Sequence, residues 1–237
     1  MAETQAAQKY QSLYKLSPSA YELAYKIRRK VRGAIFLMKN RKFVKSAIDK
    51  TYLQEYEEIV KKINAQGKAL SYPAQWGMAQ NSAICVYGIV RQTRPKIVVE
   101  TGVANGFASR IILEALEKNG AGTLFSTDIN PNVGGLVEQE LKKRWILKIG
   151  NPQNVLEDAL KELGSSIDIF IHDSNHDYDN MKKELEIASQ KMSGNGIIMS
   201  DDIDENDAFV EFAAKIGKNP EIIKSADTCL GIIRLGN

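Results

Sequence analysis

The chain has 237 residues, enough for one large α/β domain with an extension. Its hydrophobic content of 43% and charged content of 26% are ordinary for a soluble globular protein, and a net charge of +3 is too small to indicate a nucleic-acid binder. The two cysteines, Cys85 and Cys229, have neither metal-binding nor redox spacing, so we expect reduced thiols in a cytoplasmic protein. The longest apolar run near the start, residues 33–38, is too short to span a bilayer.

Residues 1–70 are predicted to form a helical extension that contains a basic amphipathic segment. Residues 26–50 hold ten Lys or Arg and one acid, a local charge of +9 that leaves −6 for the rest of the chain. Such a helix can lie on an anionic membrane surface or receive an anionic substrate. It can equally be a solvated helix that packs its apolar stripe on the main domain. The apolar residues at helical spacing are Ile27, Val31, Ala34, Ile35 and Met38.

An aromatic, proline-bearing segment, Tyr72–Met78, precedes an apolar helix predicted over residues 79–92. The segment can form a lid or a wall of an active site. It can also be a connector whose rings cover the core, and the sequence leaves both interpretations open.

From residue 97 onward the pattern alternates between strands and helices. This alternation predicts a doubly wound α/β fold with a mostly parallel sheet covered on both faces. The last two strands lie so close together in sequence that they must be antiparallel neighbours. We therefore expect a seven-stranded sheet in a domain spanning residues 71–237. The predicted strands are 97–99, 123–127, 145–149, 167–171, 196–200, 221–224 and 229–235, and the predicted helices between them include 155–163, 177–191 and 208–216.

Acidic residues close four of these strands: Glu100, Asp128, Asp173 and the pair Asp201-Asp202. Ligands of open α/β sheets bind beyond the carboxyl ends of the strands, so we expect these acids to converge on one rim. Asp128 stands where adenosine-binding folds place a carboxylate for the ribose hydroxyls, or else it caps its own turn. Glu100 can favour an amino-bearing ligand, or it can accept hydrogen bonds from the loop amides.

Asp173, Asp201 and Asp202 would meet across neighbouring strand ends. Three carboxylates on one rim suit Mg²⁺ or another divalent cation, because clustered like charges are costly without one. The alternative is that one carboxylate caps a loop while the others are solvated. His176, three residues after Asp173, can take a proton from a substrate hydroxyl, or it can simply bond to loop backbone at a helix start.

Residues 99–106, VETGVANG, resemble motif I of class I S-adenosylmethionine-dependent methyltransferases. Residues 173–178, DSNHDY, together with Asp201-Asp202 are similar to the metal-dependent small-molecule O-methyltransferases, nearest to the sugar, macrolide and cephalosporin-hydroxylase-like branch. The resemblance covers about residues 75–235. Catechol-type relatives carry a lysine at the position of His176 and often an acid at that of Asn175.

The resemblance implies a Rossmann-like methyltransferase domain and a role for each matching residue. Asp173, Asp201 and Asp202 would hold Mg²⁺, and His176 would be the general base acting with Asp173. The implied S-adenosylmethionine contacts are Glu100, Gly102, Ala104, Asn105, Gly106, Asp128, Asn151 and Asp173, with Asn151 near the adenine.

The sequence therefore predicts a Mg²⁺-dependent O-methyltransferase acting on a small hydroxylated acceptor such as a sugar, polyketide or catechol-like compound. Two alternatives are a nicotinamide-dependent oxidoreductase on the same architecture and a non-catalytic adenosyl-ligand-binding protein that docks at a membrane. The first lacks the full G-x-G-x-x-G fingerprint. We expect a cytoplasmic protein, with peripheral membrane contact through residues 26–50 and homo-oligomer formation as open options, and no nucleic-acid partner.

Overall fold

An inner strand of the sheet, β1 (Ile97–Thr101), is buried on both faces in the computed structural model, which describes residues 18–45 and 49–236. Residues 1–17 of the predicted extension lie outside the described residues. Val98 and Val99 have no exposed surface although they point to opposite faces of the sheet. β-Branched residues buried on both sides are typical of the inner strands of a parallel sheet.

Seven strands of the described chain form one sheet in the order β3-β2-β1-β4-β5-β7-β6. β1 to β5 are parallel, whereas β7 runs antiparallel to both β5 and β6. The predicted doubly wound, mostly parallel sheet with an antiparallel end is confirmed. After β1 the strands are β2 (Thr123–Asp128), β3 (Trp145–Ile149), β4 (Ile167–His172), β5 (Met192–Ser200), β6 (Glu221–Ser225) and β7 (Thr228–Arg234).

Helices cover both faces of this sheet. The described α-helices are α1 (Pro18–Lys39), α2 (Leu53–Ala65), α3 (Gln80–Thr93), α4 (Phe107–Asn119), α5 (Pro152–Glu162), α6 (Tyr178–Ser189) and α7 (Ala208–Lys215). Short 3₁₀ helices span Arg41–Phe43, Ala74–Trp76, Gln139–Arg144 and Ile203–Glu205.

Two apolar cores result, one on each face. The first core joins α2, α3 and α4 to side chains such as Ile169 of β4. The second core joins α5, α6 and α7 to the next residue of the same strand, Phe170, and also takes Phe36 from α1. Because successive side chains of a strand alternate between faces, every strand except the edge strand β3 contributes to both cores.

Helix α1 does not pack its apolar stripe on the main domain, as one interpretation of the sequence required. Its apolar residues Ile27, Val31 and Ile35 are more than half exposed, so the stripe does not lie on the main domain. Phe36 and Asn40, on the opposite side of the helix, are buried instead. The interpretation of α1 as a helix that packs its apolar stripe inward is therefore wrong.

Both thiols are free, as expected. Burial raises the pKa of Cys85 to about 11 and that of Cys229 to about 12, so neither is a reactive thiolate at neutral pH.

Candidate functional site

The strand order reverses between β1 and β4, which is where an open α/β sheet leaves a crevice for a ligand. The turn after β1 brings the two strand ends into contact. Gly102 has a φ of 85°, and a Cβ atom there would lie only 2.1 Å from the backbone oxygen of Asp173. Only glycine fits both the conformation and the space, so Gly102 fixes how closely the two loops approach each other.

The turn 102–106 alternates through left-handed conformations. Ala104 has a φ of 46° and Gly106 one of 84°, and Gly106 starts α4. The amides of Val103 and Ala104 donate to Asp128 Oδ2 at 2.9 and 3.3 Å, while the Asn130 amide donates to Asp128 Oδ1 at 2.8 Å. Asp128 thus holds the turn in shape and caps its own loop, the structural role that the sequence left open.

The Glu100 side chain is buried, whereas a carboxylate that faces a ligand was one of the two expectations. It has no exposed surface, and its Oε2 accepts hydrogen bonds from the hydroxyls of Ser109 at 2.6 Å and Ser126 at 2.7 Å. Burial raises the pKa of Glu100 to about 7, even though the two hydroxyls oppose that shift. In this arrangement the carboxylate links β1, β2 and α4 behind the turn, and it has no exposed surface.

Three carboxylates converge beyond β4 and β5 as predicted: Asp173, Asp201 and Asp202, here called the acidic rim. The Asp201 amide donates to the backbone oxygen of His172 at 2.9 Å, which aligns the two strand ends. Burial raises the pKa of Asp173 well above its usual value, and the charges of the other two acids add to this. Burial followed by the charge of Asp202 raises the pKa of Asp201 to about 8. Both shifts favour the neutral form of these acids, so an ionised rim needs positive charge nearby as compensation.

Part of that compensation comes from α1. Arg29 donates to Asp202 Oδ1, which also accepts from the Thr228 hydroxyl, and Arg32 pairs with Glu205. Asp202 adopts a left-handed φ of 50°, which turns its side chain toward these partners. Sequence reasoning missed Arg29 as a site residue, because nothing in a run of basic residues indicates which one reaches the rim.

His176 stands over the rim. Its Nε2 lies 3.9 Å from Asp173 Oδ1 and 3.8 Å from Asp202 Oδ2. Burial lowers the pKa of His176 to about 4, against the opposing effect of the Asp202 charge, so the imidazole is neutral at physiological pH. Its Nδ1 is buried and has no hydrogen-bond partner among the described residues.

A second buried polar cluster, missed in the sequence, lies behind the rim around Glu184 of α6. His172 Nδ1 contacts Glu184 Oε2 at 2.8 Å, and the hydroxyls of Thr101 and Ser174 donate to the same carboxylate. Burial alone would raise the pKa of Glu184, but these contacts hold it below its usual value. The cluster ties β1, β4 and α6 together, and the His172 ring lies 5.4 Å from the His176 ring. A signal was present, since Glu184 falls on the apolar side of α6.

A cavity of about 350 Å³ opens beside the turn and reaches Asp173. One wall is the turn itself, and the facing wall comes from the end of α2 and the segment Tyr72–Met78, here called the strap. The Tyr72 amide donates to Asn105 Oδ1 at 3.0 Å, and Asn105 Nδ2 donates back to the Tyr72 carbonyl at 2.9 Å. The cavity is lined by Ile63, Asn64, Gly67, Lys68, Leu70, Ala74, Trp76, Gly77, Met78, Val103, Ala104, Asn105, Phe107, Ala108, Leu136 and Asp173.

The structure thus brings Ala104, Asn105 and Asp173 of the predicted cofactor residues to the cavity, with Gly102 and Gly106 shaping the turn behind them. Asn151 is exposed at the start of α5, where its side chain accepts from the Asn154 amide. Among the described residues, no group of three or more His, Cys, Asp or Glu side chains already has the arrangement of a metal centre.

Comparison with known proteins finds a family match over part of the chain. Residues 99–203 match the family model described as a methyltransferase domain. No curated protein matches the sequence at a significant level.

Solved structures share the fold at low identity. A methyltransferase from Geobacter sulfurreducens aligns with a TM-score of 0.57 and 16% identity over 80% of this chain and 98% of its own. The SAH-bound methyltransferase PaMTH1 of Podospora anserina gives 0.54 and 17%, over 75% of this chain and 86% of its own. The O-methyltransferase of Bacillus cereus in complex with SAH gives 0.53 and 14%, over 75% and 89%.

The family match spans β1 to the rim, so it includes both the turn and the three acids. Residues 99–203 of this chain are therefore similar to a methyltransferase domain, and the solved methyltransferase structures share the fold of the chain.

Proposed function

We propose that the protein is a Mg²⁺-dependent O-methyltransferase that methylates a hydroxyl group of a small acceptor, such as a sugar, a polyketide or a catechol-like compound. The observation that carries the proposal is the acidic rim with His176 above it, next to a cavity bounded by the glycine turn. The O-methyltransferase of Bacillus cereus, which shares the fold, is consistent with this chemistry.

S-adenosylmethionine would occupy the cavity beside the turn. The methyl group on its sulfonium sulfur would be the one transferred. A volume of about 350 Å³ lies within the usual range of small-molecule sites. The Tyr72 hydroxyl is buried and has no hydrogen-bond partner among the described residues. Burial, followed by the charge of Asp128, raises the pKa of Tyr72. Tyr72 and Asp128 are therefore our candidates for contacts to the ribose, with Ala104 and Asn105 along the cavity wall.

The remaining predicted contacts enter the proposal in different ways. Gly102 and Gly106 would act by setting the shape of the turn. Glu100 would act as a positioning residue through Ser109 and Ser126, because it has no exposed surface. Asn151 would contact the adenine end from the start of α5.

The donor set of the rim fits a hard divalent cation. Asp201 Oδ1 is buried without a hydrogen-bond partner among the described residues. Burial raises the pKa values of both Asp173 and Asp201, and the charge of Asp202 raises them further. Unpaired carboxylate oxygens in close company are what Mg²⁺ stabilises. Bound by Asp173, Asp201 and Asp202, Mg²⁺ would act as a Lewis acid toward the acceptor hydroxyl.

His176 would remove the acceptor proton at Nε2. A neutral imidazole is required for that role, and the lowered pKa provides it at physiological pH. Methyl transfer needs no covalent enzyme intermediate, so most of the acceleration would come from holding the acceptor oxygen in line with the methyl group. The strap would help by screening this region from water.

Calorimetric titration tests the proposal. We expect S-adenosylmethionine to bind, NAD not to bind, and Mg²⁺ to bind the protein but not Asp173→Asn. Asp158→Asn is the matched control, because Asp158 is an exposed acid on α5 outside the site. A preference for NAD would refute the cofactor. Equal Mg²⁺ binding by Asp173→Asn and Asp158→Asn would refute the metal site while leaving the methyltransferase class intact.

A further inference from the structure

Helix α1 has two faces with different partners. Its inward face is fixed to the main domain by Arg29 and Arg32, which pair with the acids beyond β5, and by buried Phe36. Gly33 allows the close approach, since a Cβ there would stand 3.1 Å from Asp204 Oδ2. Because these contacts set the rotation of the helix about its axis, the opposite face must point outward.

That outward face is a continuous apolar stripe. Its five large side chains recur every three or four residues, so they share one side of the helix, and they extend over about 23 Å of its length. Each is between 51% and 77% exposed. Scattered apolar residues are normal on a protein surface, whereas a one-sided row along a whole helix marks a surface that contacts something apolar. The stripe consists of Leu23, Ile27, Val31, Ile35 and Met38.

Basic residues border the stripe on both sides. At 100° of rotation per residue, Lys26 and Lys30 fall along one edge, and Arg28 and Lys39 fall along the other. All four are exposed. Lys30 and Lys39 lie 3.9 and 3.5 Å from surface carboxylates, and pairs between such exposed groups are weak and exchangeable.

We propose that the stripe of α1 docks the protein on an anionic lipid surface, with the helix lying in the plane of the headgroups. An apolar face bordered by Lys and Arg matches an interface whose acyl chains are apolar and whose headgroups are negative. A second copy of this chain fits less well, because face-to-face packing would bring the basic borders of two helices together. Among the described residues no helix has the length and apolar composition needed to cross a membrane.

The proposal is independent of methyl transfer and is tested with the full-length protein. Co-sedimentation is measured with vesicles of phosphatidylcholine alone and with vesicles of equal parts phosphatidylcholine and phosphatidylglycerol. We expect binding to the anionic vesicles only, weakened by salt. The double variant Ile27→Ser/Ile35→Ser should lower the partition coefficient by about tenfold or more. Lys26→Gln and Lys30→Gln should each lower it about fivefold.

The matched control is Ile146→Ser/Ile149→Ser, which makes the same chemical change at two exposed isoleucines of β3. It should leave vesicle binding unchanged, and thermal unfolding should show that all variants are folded. Absence of binding to anionic vesicles, or equal loss in the control, would overturn the proposal. The proposal would also be overturned if sedimentation velocity showed a dimer that dissociates in the Ile27→Ser/Ile35→Ser variant. Vesicle binding that appears only when residues 1–17 are removed would overturn it as well.

Discussion

Glu55 offers a quantitative test of how helix α2 is attached to the helices that cover the sheet. On α2, its Oε2 accepts hydrogen bonds from the Tyr87 hydroxyl at 2.7 Å and from Arg91 Nε at 2.9 Å, both on α3. Lys118 of α4 lies 3.9 Å away. The bond to Arg91, acting against burial, lowers the pKa of Glu55 from 4.5 to about 2.

The lowered pKa of Glu55 contributes to the free energy of unfolding. A difference of about 2.5 pKa units corresponds to at most about 3.4 kcal/mol in favour of the folded state at neutral pH. Because the Glu55 side chain is 31% exposed, solvent screening reduces the expected contribution to about 1–2 kcal/mol. Since the folded pKa is the lower one, this contribution is complete above pH 4.5 and is lost as the pH falls toward 2.

Urea unfolding of the Glu55→Gln variant measures the contribution of this carboxylate to stability. We expect the variant to be about 1–2 kcal/mol less stable than the parent at pH 7, with the difference shrinking steadily below about pH 4.5. Glu58→Gln, an exposed acid on the same helix, should change stability by less than about 0.5 kcal/mol. The reasoning would be refuted if the two substitutions lowered stability equally at pH 7. It would also be refuted if the stability loss in Glu55→Gln did not change with pH.

Three further substitutions probe the site. Gly102→Ala should cost at least about 3 kcal/mol in urea unfolding because its Cβ collides with the Asp173 backbone, whereas Gly120→Ala, with a φ of 74° in open space, should cost only about 1–2. Glu184→Gln should destabilise by about 2–4 kcal/mol in the same assay, since the buried Thr101 and His172 and the half-buried Ser174 lose their charged partner. Asn105→Ala should loosen the strap and raise the calorimetric Kd for S-adenosylmethionine about tenfold; an unchanged Kd would remove the strap from the binding site.

Strand positions could be predicted because they depend on local sequence. The run at residues 145–149 was predicted as a strand, and β3 occupies Trp145–Ile149. The prediction failed where pairing overrides propensity: β5 begins at Met192, because that residue pairs with Ile167 of β4 although the stretch up to Gly196 is poor in strand formers.

Much of the acidic rim also followed from the sequence, since parallel strands place their carboxyl ends at one edge. What did not follow is the partner of each acid. Arg29 is 173 positions from Asp202, and no local pattern indicates such a pair. Glu100 lies beside the predicted turn, but its contacts with Ser109 and Ser126 depend on how α4 and β2 pack against β1.

Helix α1 connects the two parts of the molecule that sequence reasoning treated separately. The sequence left its basic residues with a membrane surface, an anionic substrate or solvent as candidate partners, and the structure places basic residues on both sides of the helix. Arg29 and Arg32 face the acids beyond β5, while Lys26, Arg28 and Lys30 remain outside. The positive charge that offsets Asp202 is therefore held in place by the packing of α1. A change in how that helix sits would alter the charge balance of the acidic rim without touching any residue of the sheet.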